Sequence, residues 1–509
     1  EDFINQGFID HRVFSNYGSI LKNLGKLKKA EVLQRKAIEI KPDYVNAYAN
    51  LGSILRELGK LKEAEILTRK AIELKPDFAN AHSNLGIILG DLGKLNEAEL
   101  SHLKAIELNP DSAEAYTCLG SILIDLGKYT EADAYIRKAI KVKGNHSTTH
   151  NLLGIISNRL GNPYEAEIAF REAIKCNPDY TEAIFNLAST LLNIRKNDEA
   201  KEYIKKIINI ELDKNMNKET IALENLQQKA KKKLAHCLFH EGEFESTLEI
   251  LNKISDKNLF IGYKFGCLLG LNKIKSFNNE YKIISKKNIC NSLVGSIVDH
   301  ANIIYETKTD STFCNGAINY IIHKNLKEIE LPTTICESLI SLINMNSNKE
   351  KVRNGFNDIS KTRGNIFSLN YSFIEELKVL LENQINSYRI KFKNSEEGFI
   401  KNWPKHYQLG GWLLNTKAGG LLKPHMHESS WISGSFYLKV PKLDNNEGSI
   451  VFNPKGPLYP TKGKVFPETI INVVSRDLCL FPSSLFHYTI PFNSSEDRIC
   501  LAFDLIPLK

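Results

Sequence analysis

The sequence predicts a multidomain chain: an all-α solenoid of paired helices, then an α+β domain with a double-stranded β-helix (jelly-roll) core. Three observations carry this. Small residues and prolines recur every 34 residues through the first two hundred positions. Beyond Gly398 the hydrophobic pattern changes from the helical period to short alternating runs bounded by Gly, Pro and Asn. And 509 residues are too many for one hydrophobic core.

Composition narrows the class. A hydrophobic content of 42% and a charged content of 25% are those of a folded globular chain, not a disordered or fibrous one. The formal charge of +8 is modest for this length, and the one dense basic run, Lys229-Ala230-Lys231-Lys232-Lys233, sits on a helical pattern as a solvated face. No arginine-rich or aromatic-interleaved patch points to nucleic acid. Nine cysteines are scattered singly, which fits reduced thiols in the cytoplasm and not a disulfide framework. No window approaches 18 consecutive apolar residues, so no membrane span is expected. The opening EDFINQGFIDHR lacks the apolar core of a signal peptide, although a start on Glu1 leaves room for a segment upstream.

The repeat columns stay in phase. Leu51-Gly52, Leu85-Gly86, Leu119-Gly120 and Leu153-Gly154 are preceded by Tyr17-Gly18 and followed by Leu187-Ala188. Ala30, Ala64, Ala98, Ala132, Ala166 and Ala200 form a second column, Ala37, Ala71, Ala105, Ala139 and Ala173 a third, and Pro42, Pro76, Pro110 and Pro178, with Gly144 in one slot, a fourth. Small residues let two antiparallel helices approach, the turns Gly25-Lys26, Gly59-Lys60, Gly93-Lys94, Gly127-Lys128 and Gly161-Asn162 end the first helix, and proline ends the second. This resembles the tetratricopeptide repeat, with six copies over about 11–214 in a first domain at 1–214. Such repeats stack into a solenoid with a groove. Asn16, Asn50, Asn84 and Asn186 recur on the first helices, with Cys118 and Leu152 between them, and a row of amides can donate and accept along an extended peptide. The row is similar to the asparagine ladder in the repeats of O-GlcNAc transferases; the competing reading is that these amides bond neighbouring turns.

From 215 to 306 the register fades while helical periodicity persists, as a degenerate connector: Leu234 to Leu251 reads as one more helix pair and Phe260–Ser285 as another. His236 and His240 share a helix face as a zinc pair would, but no third ligand or HExxH glutamate follows, so packing is expected of them, and likewise of His146 and His150.

The third region, 307–509, begins with amphipathic helices expected at Glu328–Met345 and Tyr371–Phe392. Its β-core, about 398–509, reads as eight strands: Tyr407–Asn415, Leu421–His427, Ser433–Val440, Gly448–Asn453, Thr469–Val474, Asp477–Phe481, His487–Ile490 and Arg498–Ile506. On an extended strand His425 and His427 point to one face and can reach one metal ion. An isolated HxH is usually a surface pair; here FPSSLFHYTIPF supplies His487 later, and Arg498 opens the last strand.

Together, Trp412, PHMHESSWISGSFYLKVP, GSIVFNP and LCLFPSSLFHYTIPFNSSEDRICLAFDLI are similar to the C-terminal domain of 2-oxoglutarate- and Fe(II)-dependent oxygenases, in a bacterial group often preceded by tetratricopeptide repeats. The resemblance is strong over about Trp403–Pro507. It implies that His425 and His487 are metal ligands for Fe(II) and that Arg498, eleven residues beyond His487, anchors the co-substrate 2-oxoglutarate, with dioxygen as oxidant. The family's usual HxD or HxE has His427 in its third-ligand slot here. Either His427 completes an all-histidine triad, or Glu428 rotates in, or two ligands suffice; strand parity favours His427, and a bulge would reverse it. Tyr437 is a candidate hydrogen-bond donor to 2-oxoglutarate, Trp412 and Trp431 are wall or core residues, and Ser483 and Ser484 lack a nucleophile elbow. The expected activity is hydroxylation of a protein or peptide recruited by the repeats. The alternative is an interaction scaffold with a silent metal- or ligand-binding β-domain, and self-association is another use of such a groove. No nucleotide-sugar domain pattern supports glycosyl transfer.

Overall fold

The computed structural model describes residues 10–143, 146–212, 218–255, 260–287, 289–344, 349–351, 359–362 and 364–508. The Gly144 slot, residue 215 and the expected helix end at Met345 lie outside them. The chain divides into two compact units at Gln227 and Gln228.

The first unit is a helical solenoid of six pairs: α1 (His11–Asn23) with α2 (Leu27–Ile40), α3 (Val45–Glu57) with α4 (Leu61–Leu74), α5 (Ala79–Asp91) with α6 (Leu95–Leu108), α7 (Ala113–Asp125) with α8 (Tyr129–Val142), α9 (Ser147–Arg159) with α10 (Pro163–Cys176), and α11 (Thr181–Asn193) with α12 (Asn197–Ile208). Ala30, Ala64, Ala98, Ala132, Ala166 and Ala200 are fully buried, as close helix approach requires. The turn glycines take φ between 71° and 78°, a conformation that a side chain disfavours. The lysine after three of them reaches back to the preceding repeat, in Lys60–Glu31, Lys94–Glu65 and Lys128–Glu99. Such exposed pairs contribute at most about 1 kcal/mol each. The glycine of the Leu-Gly column has its own reason. A Cβ on Gly52 would lie 2.1 Å from Thr68 Oγ1, one on Gly86 2.6 Å from His102 Nε2, and one on Gly154 2.5 Å from the Phe170 ring. In the first five pairs a side chain of the second helix therefore rests on bare backbone of the first, and in the sixth the slot holds Ala188.

In the second unit, α13 (Lys218–His240, whose last residues belong here), α14 (Phe244–Asn252), α15 (Ile261–Gly270), α16 (Ile274–Lys286) and α17 (Ser292–Tyr305) form the degenerate helical stretch. Phe239, Tyr263, Leu293 and Ile297 share one apolar cluster with Tyr459 and Phe466 of the β region. Next come β1 (Ile322–Asn325), α18 (Thr333–Asn344), β2 (Lys349–Lys351), β3 (Ile359–Thr362), α19 (Ser372–Lys391) and α20 (Gly398–Lys401). The core strands are β4 (Tyr407–Thr416), β5 (Ile432–Lys439), β6 (Ile450–Asn453), β7 (Thr469–Ile471), β8 (Asp477–Pro482), β9 (Phe486–Thr489) and β10 (Arg498–Pro507).

Two antiparallel sheets result, one in the order β1-β8-β5-β10-β4-β3-β2 and one in the order β7-β6-β9, an arrangement compatible with the expected jelly roll. Two features depart from expectation. Strands β1 to β3 extend the larger sheet from a region read as helical or mixed. And Leu421–His427 is not a regular strand: Pro424 has no N–H to give a ladder, and the segment keeps only an isolated bridge between His425 and His487.

The His102 slot yields a stability prediction. Burial lowers this imidazole's pKa from 6.5 to about 4, and among the described residues neither ring nitrogen has a hydrogen-bond partner. The unfolded chain binds the proton below pH 6.5 and the folded chain only below about 4, so this contribution to stability is lost as pH falls between the two, by about 3 kcal/mol in all. Ile136 fills the same slot over Gly120. His102→Ile should therefore lower the Tm less than wild type does between pH 7 and pH 4.5. Parallel pH curves for the two proteins would refute this.

Candidate metal centre

Register builds the inner face of the larger sheet. Ser433 of β5 and Gly410 of β4 lie opposite Asp504 of β10, Ser435 and Trp412 opposite Ala502, and Tyr437 and Leu414 opposite Cys500. Alternate residues share a face, so Asp504, Ala502 and Cys500 point the same way along β10. Ser433 Oγ donates to Asp504 Oδ1 at 2.7 Å and lies 2.8 Å from Ser483 Oγ.

Onto this face the bridge delivers three imidazoles. His425 and His487 exchange backbone hydrogen bonds of 3.1 and 2.9 Å, which seats their ring centroids 4.3 Å apart. His427 returns to the same side, its ring 5.3 Å from His425 and 5.1 Å from His487. One nitrogen from each histidine lies within 4.8 Å of the others, a set able to hold a metal ion. Each Nδ1 meets an oxygen: Lys423 O at 2.8 Å from His425, Leu485 O at 3.3 Å from His487, and the Asp504 carboxylate at 2.6 and 2.8 Å from His427. Acceptors on all three Nδ1 atoms require protons there and leave the Nε2 lone pairs free. Burial, then the neighbouring His427, lowers the His425 pKa to about 4. Burial, reinforced by His425 and His427, pushes that of His487 well below its usual value. Both rings are thus neutral near pH 7, the form that ligates metal. Phe481 packs edge-on to His487 at 4.8 Å, and Trp412 lies 5.8 Å from His427.

Arg498 opens β10, almost fully buried, with its guanidinium 4.7 Å over the Tyr437 ring. Among the described residues no carboxylate forms an ion pair with it, and its Nε has no acceptor. A buried cation left so is costly, and an anionic ligand would relieve that cost. Tyr437 is fully enclosed, and burial pushes its phenol well up, so it remains a hydroxyl. Trp431 is a core residue, its Nε1 donating to Phe399 O at 2.7 Å. Ser483 belongs to the hydrogen-bonded chain that leads through Ser433 to Asp504.

Glu428 does not join the three histidines. It turns the other way, to His236 and His240 of α13, supplying the third group that their local sequence lacks. Asp504 is the residue that sequence reasoning missed; its even spacing from Arg498 along one strand was the available signal.

In the first unit, the amides of the ladder reach back one repeat. Asn50 Nδ2 donates to Ser19 Oγ at 3.1 Å, Asn84 Nδ2 to Ala49 O at 3.4 Å, and Asn186 Nδ2 to Asn151 Oδ1 at 3.1 Å, while Asn16 is exposed on α1. A polar depression is lined by Asn50, Ser53, Asn80, Ser83, Asn84 and Asn109.

Among the described residues no helix is long and apolar enough to cross a membrane. Residues 410–504 match the family model described as "Putative 2OG-Fe(II) oxygenase". Tetratricopeptide repeat models match 33–66, 103–134 and 169–202, and also 11–44 and 79–112, with a further repeat model at 52–93. A search of curated proteins finds no match. Similar solved structures include PilF of Pseudomonas aeruginosa, 20% identical with a TM-score of 0.36, covering 39% of this chain and 90% of that one. A thermophilic tetratricopeptide repeat protein of Thermus thermophilus is also 20% identical with a TM-score of 0.33, covering 36% and 99%. YrrB, a tetratricopeptide repeat protein with an unusual peptide-binding site, is 23% identical with a TM-score of 0.30, covering 36% and 94%. The chain thus carries tetratricopeptide repeats in its N-terminal region and, at residues 410–504, the domain described as "Putative 2OG-Fe(II) oxygenase".

Proposed function

We propose that the chain is an Fe(II)- and 2-oxoglutarate-dependent dioxygenase that hydroxylates a protein or peptide recruited by its repeats. The observation that carries this is the trio of His425, His427 and His487, each with Nδ1 on an oxygen acceptor and Nε2 left for one ion. In this reading the three histidines hold Fe(II). Asp504, steadied by Ser433, fixes the tautomer and orientation of the His427 ring. Arg498 takes the distal carboxylate of 2-oxoglutarate, the anion that its buried guanidinium lacks, and Tyr437 supports the guanidinium from below. Bound Fe(II) supplies, with 2-oxoglutarate and dioxygen, an oxidative decarboxylation coupled to hydroxylation of a C–H bond. Phe452 and Phe481, both fully buried beside His487, keep water from that side of the cluster. In the repeat unit, the polar depression presents amides and hydroxyls that suit the backbone of an extended peptide.

Among the described residues no carboxylate joins the three histidines as a ligand, which keeps the silent-scaffold reading as the alternative. An anaerobic titration with Fe(II) and 2-oxoglutarate separates the two. The enzyme develops a weak visible charge-transfer band and releases succinate on exposure to air; metal binding without either signal would establish the scaffold.

Two substitutions test the assigned roles. Asp504→Asn should weaken metal binding about 10–100-fold, because the His427 ring loses its carboxylate partner. An unchanged metal Kd would remove Asp504 from the site. Arg498→Ala should weaken 2-oxoglutarate binding by about 30-fold or more, the loss of a charge-assisted pair worth about 2 kcal/mol, with metal affinity nearly intact. Equal loss of both affinities would indicate a damaged fold instead.

A further inference from the structure

His427 and Glu428 are consecutive, and their side chains serve different faces. Glu428 meets His236 and His240, which are four apart on α13, and one donor atom from each of the three lies within 4.8 Å of the others. His240 Nε2 is 3.4 Å from Glu428 Oε1. Glu428 Oε2 accepts a 2.9 Å hydrogen bond from the Tyr263 hydroxyl, whose oxygen lies 2.5 Å from His236 Nδ1. The two imidazole rings are 4.4 Å apart. Four side chains from α13, α15 and the 427–428 turn thus converge on one point. Unlike the iron cluster, this point is open to solution, since His236 and His240 are exposed and Glu428 is partly so.

We propose that His236, His240 and Glu428 form a second metal site, for a divalent cation of zinc's class. Two imidazoles and a carboxylate are a donor set that such an ion accepts, with a fourth position left for water. Tyr263 aligns the carboxylate as an outer partner, the arrangement common around bound metals. The same turn is tied from the other side, where Ser292 Oγ donates to Glu428 O at 2.8 Å. An ion here cross-links α13 to the turn that carries His427, so the second site acts as a positioning clamp on the iron cluster without touching it.

Equilibrium dialysis of the full chain against Zn(II), read by metal analysis, tests this. Wild type should hold two equivalents, and His236→Ala/His240→Ala one. His487→Ala, which disables the iron cluster, should still hold one equivalent and gain several degrees of Tm on adding Zn(II). Combining all three substitutions should abolish both the metal and the shift. Should the iron reading alone fail, wild type would hold one equivalent that disappears with His236 and His240. Because these two histidines are exposed, their variants should keep the wild-type circular dichroism spectrum, and His240→Gln serves as a milder version. Zn(II) content that is the same with and without the His236 and His240 side chains would overturn the proposal and leave a hydrogen-bonded cluster without an ion.

Discussion

The backbone bridge between His425 and His487 is the constraint on which the candidate centre depends. Two hydrogen bonds, His425 N–H to His487 O and the reverse, hold a segment that has no ladder of its own. Pro424 removes one donor beside it, and the remaining ties are few: Thr489 N–H to Leu422 O and His427 N–H to Ser483 O. Residues paired directly across a bridge carry adjacent side chains, so the two imidazoles are brought together by main-chain geometry and not by side-chain search. Once they are set, His427 has one place to go. Its ring enters between Trp412 and the Asp504 carboxylate, and the third nitrogen joins the first two.

The chain enters a turn at Glu428, and neighbouring side chains there take opposite faces. His427 faces the sheet, and Glu428 faces the helices. One turn of chain therefore has both its sides engaged by polar partners, with Ser292 holding its carbonyls. The hydrogen-bonded chain Ser483–Ser433–Asp504–His427 shows how such a polar network is kept inside an apolar sheet: every member has a partner, which is the condition for burying it without a large penalty. Arg498 breaks that rule: among the described residues its buried guanidinium pairs with no carboxylate and its Nε has no acceptor.

Local signals were read well where local physics decides them. Glycine at a left-handed turn, alanine between close helices and proline after a helix are requirements of neighbouring backbone, so six repeats could be placed from their spacing. Strands β4, β5, β8 and β10 fell within a residue of their expected limits because both their alternation and their bounding turns are strong. Strands β1 to β3 were not foreseen: Ile322–Asn325 reads IHKN, and its place beside β8 depends on a partner some 150 residues later in the chain. The ladder asparagines were visible as a column with two readings open, and which atoms of the preceding repeat Asn50, Asn84 and Asn186 meet is set by the stacking of the helices.

The sequence alone thus determined the repeat and the change to a β-domain, and it brought forward His425, His427, His487 and Arg498 as candidates. These are statements about residue types at fixed spacings, and spacing along a chain carries them. Tertiary structure decided which way His427 and Glu428 point, and what each meets. Asp504 lies 77 residues from His427, and Tyr263 lies 165 from Glu428. Those contacts are set by strand register and helix packing, in which a one-residue shift would exchange the two faces. Which of His427 and Glu428 lies beside His425 and His487 is therefore decided by the folded chain, where the His427 imidazole, hydrogen-bonded to the Asp504 carboxylate, takes that place and Glu428 turns to α13.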